Sequence, residues 1–178
     1  FSVSAWVQPR SLGIQTAVSQ IGTKQSSFYL GQRTKIVSGN PVNWWSFSVF
    51  GIDSDALGSR FADAFMTSRD MTEEADLSHW THLVGVHDVA RREVRLYVDG
   101  KPVATTPFGT GSFTGAFDAT GPLYVGAARF TPFGAATQLV DRWDGDIDDV
   151  SLYQGALSDN DVREINEVEA VREAGATG

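Results

Sequence analysis

The chain has 178 residues, with 14 Lys and Arg against 22 Asp and Glu, a formal net charge of −8 and no cysteine. The absence of cysteine excludes disulfides, zinc–thiolate centres and thiol nucleophiles. The acidic balance disfavours nucleic acid and anionic membranes as partners, but it leaves divalent cations and neutral sugars open. No apolar run approaches the about 20 residues of a membrane span, so we expect no membrane insertion. The length suits a single domain over residues 1–178.

Alternation of apolar and polar residues predicts strands in the first half of the chain. Residues 1–7 alternate with period 2, which indicates a half-buried strand. Residues 44–50 alternate in the same way, and Trp44 and Trp45 are adjacent there, so they should point to opposite faces. Further strands are predicted at residues 17–21, 28–30 and 60–67, and an acidic loop at 71–78.

The second half begins with a predicted hairpin of residues 82–88 and 93–98, followed by the tight-turn signal Asp99-Gly100. Ser158 is a predicted N-cap with Asp161 at the capping-box position, so a helix should begin there. Helical propensity extends to about residue 173, and residues 167–178 are assigned to a C-terminal tail. Further strands are predicted at 102–106, 123–126 and 147–153, and a long loop at 131–142.

Many short strands at a spacing of roughly 8–12 residues, with Gly, Asp and Asn at the turns, are typical of sandwiches and jelly rolls. The predicted fold is therefore all-β: a jelly-roll β-sandwich of two antiparallel sheets with one short peripheral C-terminal helix.

Five segments in order carry a resemblance to a known family. They are residues 1–9 (FSVSAWVQP), 80–88 (WTHLVGVHD), 96–100 (LYVDG), 123–126 (LYVG) and 145–157 (GDIDDVSLYQGAL). Together they resemble the laminin-G-like jelly roll of the concanavalin A-like lectin/glucanase superfamily. The resemblance implies a domain that binds glycans or proteins and catalyses no reaction.

The chain departs from the family pattern in two places. The family has a strand ahead of the position of Phe1, beside the strand predicted at 147–153, and this chain lacks it. An open edge there is an aggregation hazard, so either the strand belongs to a segment of the protein outside the given sequence or another chain supplies it. The second departure is the region 52–78, which is longer and more acidic than the family's minimum.

A run of carboxylates at Asp144, Asp146, Asp148 and Asp149 is the candidate metal site. The resemblance implies that an acid at the position of Asp148 or Asp149 helps to bind a structural Ca2+, an ion that takes about 6–8 oxygen ligands. We assign Asp146, Asp148 and Asp149 to that site. The alternative is that these acids cap turns and accept hydrogen bonds from the backbone.

The same run invites an enzyme hypothesis, because glucanases of the superfamily carry Glu-x-Asp-x-x-Glu on one strand. Here Asp146 and Ser151 stand where that pattern has its two glutamates. A retaining glycosidase needs two correctly spaced carboxyl groups, so we expect no enzyme activity.

Sugar binding needs exposed aromatic rings beside planar hydrogen-bonding groups, because sugar rings have apolar faces and hydroxyl-bearing edges. The alternative for alternating tryptophans is a place in the core. The candidate ligand-binding residues are Trp44, Trp45, Tyr29, Arg33, Trp143 and Phe133.

Two other groups of polar residues are predicted to be structural. Asp53 and Asp55 follow the strand at 44–50, where turn formation is favoured over cation binding. His79, His82 and His87 are the histidines of the chain, and their spacing on a strand does not suit one metal ion.

These features favour a non-catalytic, lectin-like module of a larger protein that is secreted or held at the cell surface. The alternative is a structural module that docks to neighbouring domains or chains, and a glycoside hydrolase is the third possibility. An exposed aromatic groove would favour the first function, and a flat apolar patch or an open edge strand would favour the second.

Overall fold

The protein is described from a computed structural model that covers residues 1–54, 61–77, 79–109, 113–132 and 135–176. The described elements are β1 (Ser2–Pro9), β2 (Gln15–Ile21), β3 (Ser26–Val37), β4 (Asn40–Phe50), β5 (Phe61–Phe65), α1 (Glu73–Asp76), β6 (Thr81–Asp88), β7 (Glu93–Val98), β8 (Lys101–Pro107), β9 (Leu123–Val125), β10 (Ala128–Phe130), β11 (Gln138–Val140), β12 (Gly145–Tyr153) and α2 (Asp159–Ala176).

The strands form two large antiparallel sheets, which confirms the predicted jelly-roll β-sandwich. The first sheet has the order β12-β1-β6-β7-β8, and the second has the order β5-β4-β3-β2-β9. The first and last strands of the chain are neighbours, with Val3 opposite Leu152 and Val7 opposite Ile147. A small hairpin of β10 and β11 lies outside the two sheets.

The core lies between the two sheets and takes the apolar face of each strand. Trp45, Phe47 and Val49 of β4 are fully buried there, as their alternation predicts. They pack in one cluster with Val3 and Leu83 of the first sheet. Each fully buried side chain of this kind stabilises the fold by about 1.5–3 kcal/mol relative to exposure.

Helix α2 covers the other face of the first sheet, so the molecule has three layers at this point. Val162 is fully buried, and the Nε1 group of Trp6 donates to Glu169 Oε2 at 3.0 Å. The His82 ring stacks on Trp6 with 5.1 Å between centroids. Burial lowers the pKa of His82 to about 4, so this imidazole is neutral at physiological pH. His82 therefore has a structural role, in packing α2 against the first sheet.

The beginning of α2 agrees with the sequence prediction, and its end differs. The Ser158 N–H donates to Asp161 at 2.8 Å and the Asp161 N–H donates to the Ser158 hydroxyl at 3.3 Å, which completes the capping box. The helix continues to Ala176, so residues 167–176, which were assigned to the tail, are helical. The hydrogen bond between Trp6 and Glu169 explains the difference, because it fixes this part of the helix to the sheet. Neither described helix combines the length and apolar composition that crossing a membrane requires.

Strand β12 lies at the edge of the first sheet. It pairs with β1 on one side and, within the described residues, with no strand on the other. Leu152 on this strand is 54% exposed. The edge is where the sequence analysis expects a strand from another segment or chain, and that contribution stays a prediction.

The hairpin of β3 and β4 is longer than predicted, since β3 covers residues 26–37 and β4 begins at Asn40, and strands β10 and β11 were not predicted. Strand β3 runs to Val37 because Ser38 and Gly39 form a two-residue turn with φ of 51° and 85°, which leads directly into β4. Both angles are positive, as the type I′ turn of a hairpin requires. Strand β11 lies within the predicted loop of residues 131–142, where its pairing with β10 supplies its backbone hydrogen bonds.

Candidate functional site

A groove of about 370 Å3 lies on the outer face of the second sheet. Its floor is formed by Tyr29 of β3 and by Ser48 and Phe50 of β4. These residues alternate with the core residues of the same strands, so they face away from the core. The full lining is Ile14, Tyr29, Arg33, Thr34, Lys35, Ser48, Phe50, Phe61, Asp63, Phe65, Phe130, Val140 and Asp141.

Strand β5 forms one side of this groove, which we call the outer groove. Phe61, Asp63 and Phe65 line it, while the alanines between them face the core. The Phe61 ring stacks on Phe50 with 5.3 Å between centroids, and Phe50 meets Tyr29 edge-on at 5.2 Å. Phe61 remains 50% exposed, so an aromatic face is open to a ligand.

The β10–β11 hairpin contributes Phe130 and Val140 to the lining of the outer groove. It is anchored by two buried hydroxyl groups of the sheet. The Tyr29 hydroxyl donates to the Arg129 carbonyl and the Ser19 hydroxyl donates to the Ala127 carbonyl, each at 2.8 Å. Burial raises the pKa of Tyr29 to about 12, so its hydroxyl keeps its proton and remains a donor.

Charged groups lie among the aromatic rings. Arg33 forms an ion pair with Asp141 at 3.2 Å, and its guanidinium carbon lies 5.1 Å from the Tyr29 ring centroid. Burial raises the pKa of Asp63, and the bond from Ser48 and the charge of Lys35 oppose this rise. A carboxyl group with a shifted pKa inside an apolar groove is a frequent mark of a functional site.

Two of the six sequence candidates for ligand binding line the outer groove, namely Tyr29 and Arg33. Trp44 lies beside the groove, half-buried, with its ring 6.1 Å from Phe65 and its Nε1 group donating to Asp70 at 3.0 Å. Phe133 lies outside the described residues.

The proposed ligand contact of Trp45 requires correction, and that of Trp143 stays a prediction. Trp45 is fully buried, and Trp143 packs against the same core with its ring stacked on Trp45 at 6.5 Å. Both indoles fill space between the sheets, because Trp45 lies on the core face of β4 and Trp143 lies just before β12. Trp45 is therefore not accessible to a ligand, whereas Trp143 is partly buried and its contact with a ligand stays a prediction.

Some residues that line the outer groove were not predicted from the sequence, among them Phe61, Asp63, Phe65 and Asp141. A signal for the first three is present in the chain, because Phe-Ala-Asp-Ala-Phe places two rings and a carboxyl on one face and two small residues on the other. Asp141 has no such signal, since contacts with residues distant in sequence bring it to the groove, namely the ion pair with Arg33 and the hydrogen bond from the Thr16 N–H to its carbonyl.

The carboxylates around β12 are engaged with their neighbours. Arg10 binds Asp146 at 2.9 Å, the Ser11 hydroxyl donates to Asp144 at 2.8 Å, and the Asp149 N–H donates to Asp148 at 2.8 Å. Within the described part of the chain, no three His, Asp or Glu side chains are grouped as ligands of a metal ion. This donor set does not fit a calcium ion, and the calcium site stays a prediction without support in the geometry. None of these acids lines the outer groove.

Asp53 is a turn former, as the sequence analysis favoured. Its carboxylate accepts the backbone N–H groups of Thr23, Lys24 and Gln25 at 2.5, 2.7 and 3.0 Å. Burial acts to raise the pKa of Asp53, but these three bonds outweigh it and hold the pKa below 3.8. Asp55 lies outside the described residues.

We expect Asp53→Ala to lower the free energy of unfolding by about 1–2 kcal/mol, the usual loss when a capping side chain is removed. Because the folded-state pKa is depressed, this stabilisation is complete above the ordinary value of 3.8 and is lost as the pH falls through the lowered pKa. Urea unfolding of both proteins at neutral pH and near pH 2 measures the difference. A difference that persists unchanged at the low pH would contradict the assignment.

His82 and His87 lie on opposite faces of the first sheet, each packed against an aromatic ring. His87 is buried and stacks on Phe108 at 5.3 Å between centroids, and burial lowers its pKa to about 4. His82 lies under α2 on the other face of the first sheet. The structural role predicted for the histidines therefore fits the positions of these two.

Comparison with solved structures shows similar folds at low sequence identity. Domain 4 of AbnA, a GH43 extracellular arabinanase from Geobacillus stearothermophilus in complex with arabinotriose, is 20% identical with a TM-score of 0.55, covering 93% of this chain and 65% of that one. The CBM40 of a Ruminococcus gnavus IT-sialidase bound to α2,3-sialyllactose is 15% identical with a TM-score of 0.60, covering 93% and 81%. A SAP-like pentraxin from Limulus polyphemus is 15% identical with a TM-score of 0.62, covering 93% and 68%.

No curated protein has a matching sequence. The family model of the Concanavalin A-like lectin/glucanases superfamily named Laminin_G_3 matches residues 1–163. That match covers most of the chain. The chain therefore belongs to the Laminin_G_3 family of the concanavalin A-like lectin/glucanases superfamily.

Proposed function

We propose that this domain is a non-catalytic carbohydrate-binding module and that the outer groove holds the glycan. The observation that carries the proposal is the half-exposed Phe61 ring, stacked on Phe50 and placed beside the carboxyl group of Asp63. An aromatic face next to a hydrogen-bond acceptor matches the apolar face and hydroxyl edge of a sugar.

The shape of the outer groove supports the same assignment. A volume of about 370 Å3 lies within the range of small-molecule sites, and apolar side chains with a few polar groups line it. The solved structures with similar folds include two modules in complex with oligosaccharides, an arabinotriose and a sialyllactose. At these identities the likeness supports the fold, so the glycan assignment rests on the groove itself.

We propose that the domain is part of a larger protein that is secreted or held at the cell surface, where it can contact polymeric glycans. When a carbohydrate-binding module is linked to a second domain, it raises the effective concentration of that domain at its glycan substrate. The solved arabinanase domain is part of an extracellular enzyme.

We expect Phe61→Ala to weaken glycan binding about tenfold or more, because a ligand that stacks on this ring loses its largest apolar contact. The measurement is a glycan array with the purified domain, followed by calorimetric titration of each hit. Phe61 is half exposed, so the variant should fold, which a thermal melt checks.

Leu152→Ala is the matched control, since Leu152 is 54% exposed and lies on the other sheet. It should leave glycan binding unchanged. A set of hits that Phe61→Ala does not weaken would contradict the place of the site, and a blank array from a folded sample would contradict the function.

One observation favours a second function, docking to a neighbouring domain or chain. The outer edge of β12 is unpaired in the described structure and carries the exposed Leu152. An open edge can accept a strand from a partner through backbone hydrogen bonds. A blank glycan array would make this the leading assignment.

A further inference from the structure

We propose that the outer groove selects neutral sugars and rejects glycans that carry a carboxylate or a sulfate group. This inference rests on the proposed function and names the class of ligand for the same site. It follows from the charged side chains of the groove, two of which are basic and two acidic. Arg33 is held by bonds within the protein and the ammonium of Lys35 lies over an aromatic ring, whereas the acidic pair retains acceptor capacity.

Arg33 is held in place by the protein itself. Its Nη2 atom donates to the Thr16 hydroxyl at 3.1 Å and lies 3.2 Å from Asp141, and its Nη1 atom donates to the carbonyl groups of Gln32 at 2.9 Å and Gln15 at 3.3 Å. The side chain is only 15% exposed. A ligand carboxylate would therefore have to break the existing contacts to form a two-bond clamp with this guanidinium group.

Lys35 is the other basic residue of the groove. Its side chain is exposed, and its ammonium lies 3.8 Å from the centroid of the Phe65 ring, within reach of a cation–π interaction. Its charge also acts on Asp63, which lies two residues before Phe65 on β5. The positive charge thus balances a carboxylate that belongs to the groove.

Asp63 and Asp141 give the groove its acceptor character. Each carboxylate oxygen accepts more than one hydrogen bond, so these groups can accept bonds from sugar hydroxyls in addition to their present ones. Burial raises the pKa of both carboxyl groups, because it removes them in part from water. An anionic ligand would approach these carboxylates while the neighbouring cations are already paired with them, and like-charge contacts at a partly buried site are unfavourable.

The test uses pairs of oligosaccharides that differ only in charge. The probes are cellotetraose, mannotetraose, galactotetraose and lactose, each with a counterpart in which one primary hydroxyl group is oxidised to a carboxylate. We expect each neutral sugar that binds to do so about tenfold or more tightly than its oxidised counterpart. Increasing the salt concentration should narrow this ratio, because it screens the repulsion.

Asp63→Asn keeps the shape of the side chain and removes its charge. We expect it to narrow the ratio severalfold, mainly because the oxidised sugars bind more tightly. Asp118→Asn is the matched control: it changes the net charge by the same amount at an exposed position outside the outer groove, and it should leave the ratio unchanged.

The outcomes separate the inference from the function on which it rests. If an oxidised sugar binds as tightly as its neutral counterpart, the selectivity is overturned and the carbohydrate-binding function stays intact. The same holds if Asp63→Asn leaves the ratio of neutral to oxidised affinity unchanged. If no sugar of either kind binds a folded sample, the proposed function fails and the inference fails with it.

Discussion

Arg95→Met is expected to lower the free energy of unfolding by about 3–5 kcal/mol, because it leaves a buried carboxylate without its partner. The Arg95 guanidinium is 7% exposed and lies 3.2 Å from Asp88, whose side chain is 10% exposed. Arg95 also donates to the Tyr97 hydroxyl at 2.7 Å and to the Leu157 carbonyl at 3.1 Å. Methionine fills a similar volume and can replace none of these bonds.

Chemical denaturation measures this loss, and two further variants show where it arises. Arg91→Ala is the control, since Arg91 is 68% exposed and lies 3.9 Å from the same Asp88 carboxylate, so its removal should cost less than about 1 kcal/mol. In the double variant Arg95→Met/Asp88→Asn, the unpaired charge is gone while the side-chain oxygen can still accept the Arg91 N–H. This double variant should recover at least half of the free energy of unfolding that Arg95→Met loses. Strictly additive effects of the two substitutions would contradict the buried-charge explanation.

The same network explains how α2 is fixed to the first sheet. The Tyr97 hydroxyl donates to Asp159, the first residue of the helix, at 2.6 Å. Burial and this bond raise the pKa of Tyr97 above its ordinary value, so the hydroxyl remains a donor. Asp159 lies in the first turn, where a negative charge also interacts favourably with the helix dipole.

The arrangement of the strands could be predicted from the sequence because burial on one face leaves a period of 2. In β4, the residues Trp45, Phe47 and Val49 all lie in the core, as the alternation indicates. The hairpin of β6 and β7 also has the predicted limits to within one residue. Strand β11 lacks such a signal, since it has three residues and is held by its pairing with β10.

The candidate site could be predicted only in part, because it is assembled from segments that are distant in sequence. Tyr29 and Arg33 lie on one strand and share a face, so both can be predicted from the sequence pattern of β3. The opposite side of the groove comes from β5, and the remainder comes from a hairpin about one hundred residues after Tyr29. Alternation within one strand indicates which face a residue takes, and it does not indicate what packs above that face.

Gly85→Ala is expected to lower the free energy of unfolding by about 3 kcal/mol, because the core has no room for a methyl group there. A Cβ atom on Gly85 would lie 2.3 Å from Cδ2 of the Phe47 ring. That ring is fully buried and cannot turn away easily, since Phe28 lies at 6.1 Å and Phe1 at 6.4 Å between centroids. Denaturant unfolding, with Gly155→Ala as the control, measures the effect. A Cβ atom on Gly155 would have no neighbour within 4 Å, so the control should change the stability by less than about 0.5 kcal/mol.

A double-mutant cycle with Phe47→Leu decides whether the clash causes the loss. Phe47→Leu alone should cost about 1–2 kcal/mol through the space that it leaves. If the methyl group that Gly85→Ala introduces enters that space, the double variant will be no less stable than Phe47→Leu alone. Alanine is also favoured over glycine in a strand by up to about 1 kcal/mol, which adds to the recovery. Equal losses with and without Phe47 would instead mean that the backbone of β6 itself requires glycine at this position.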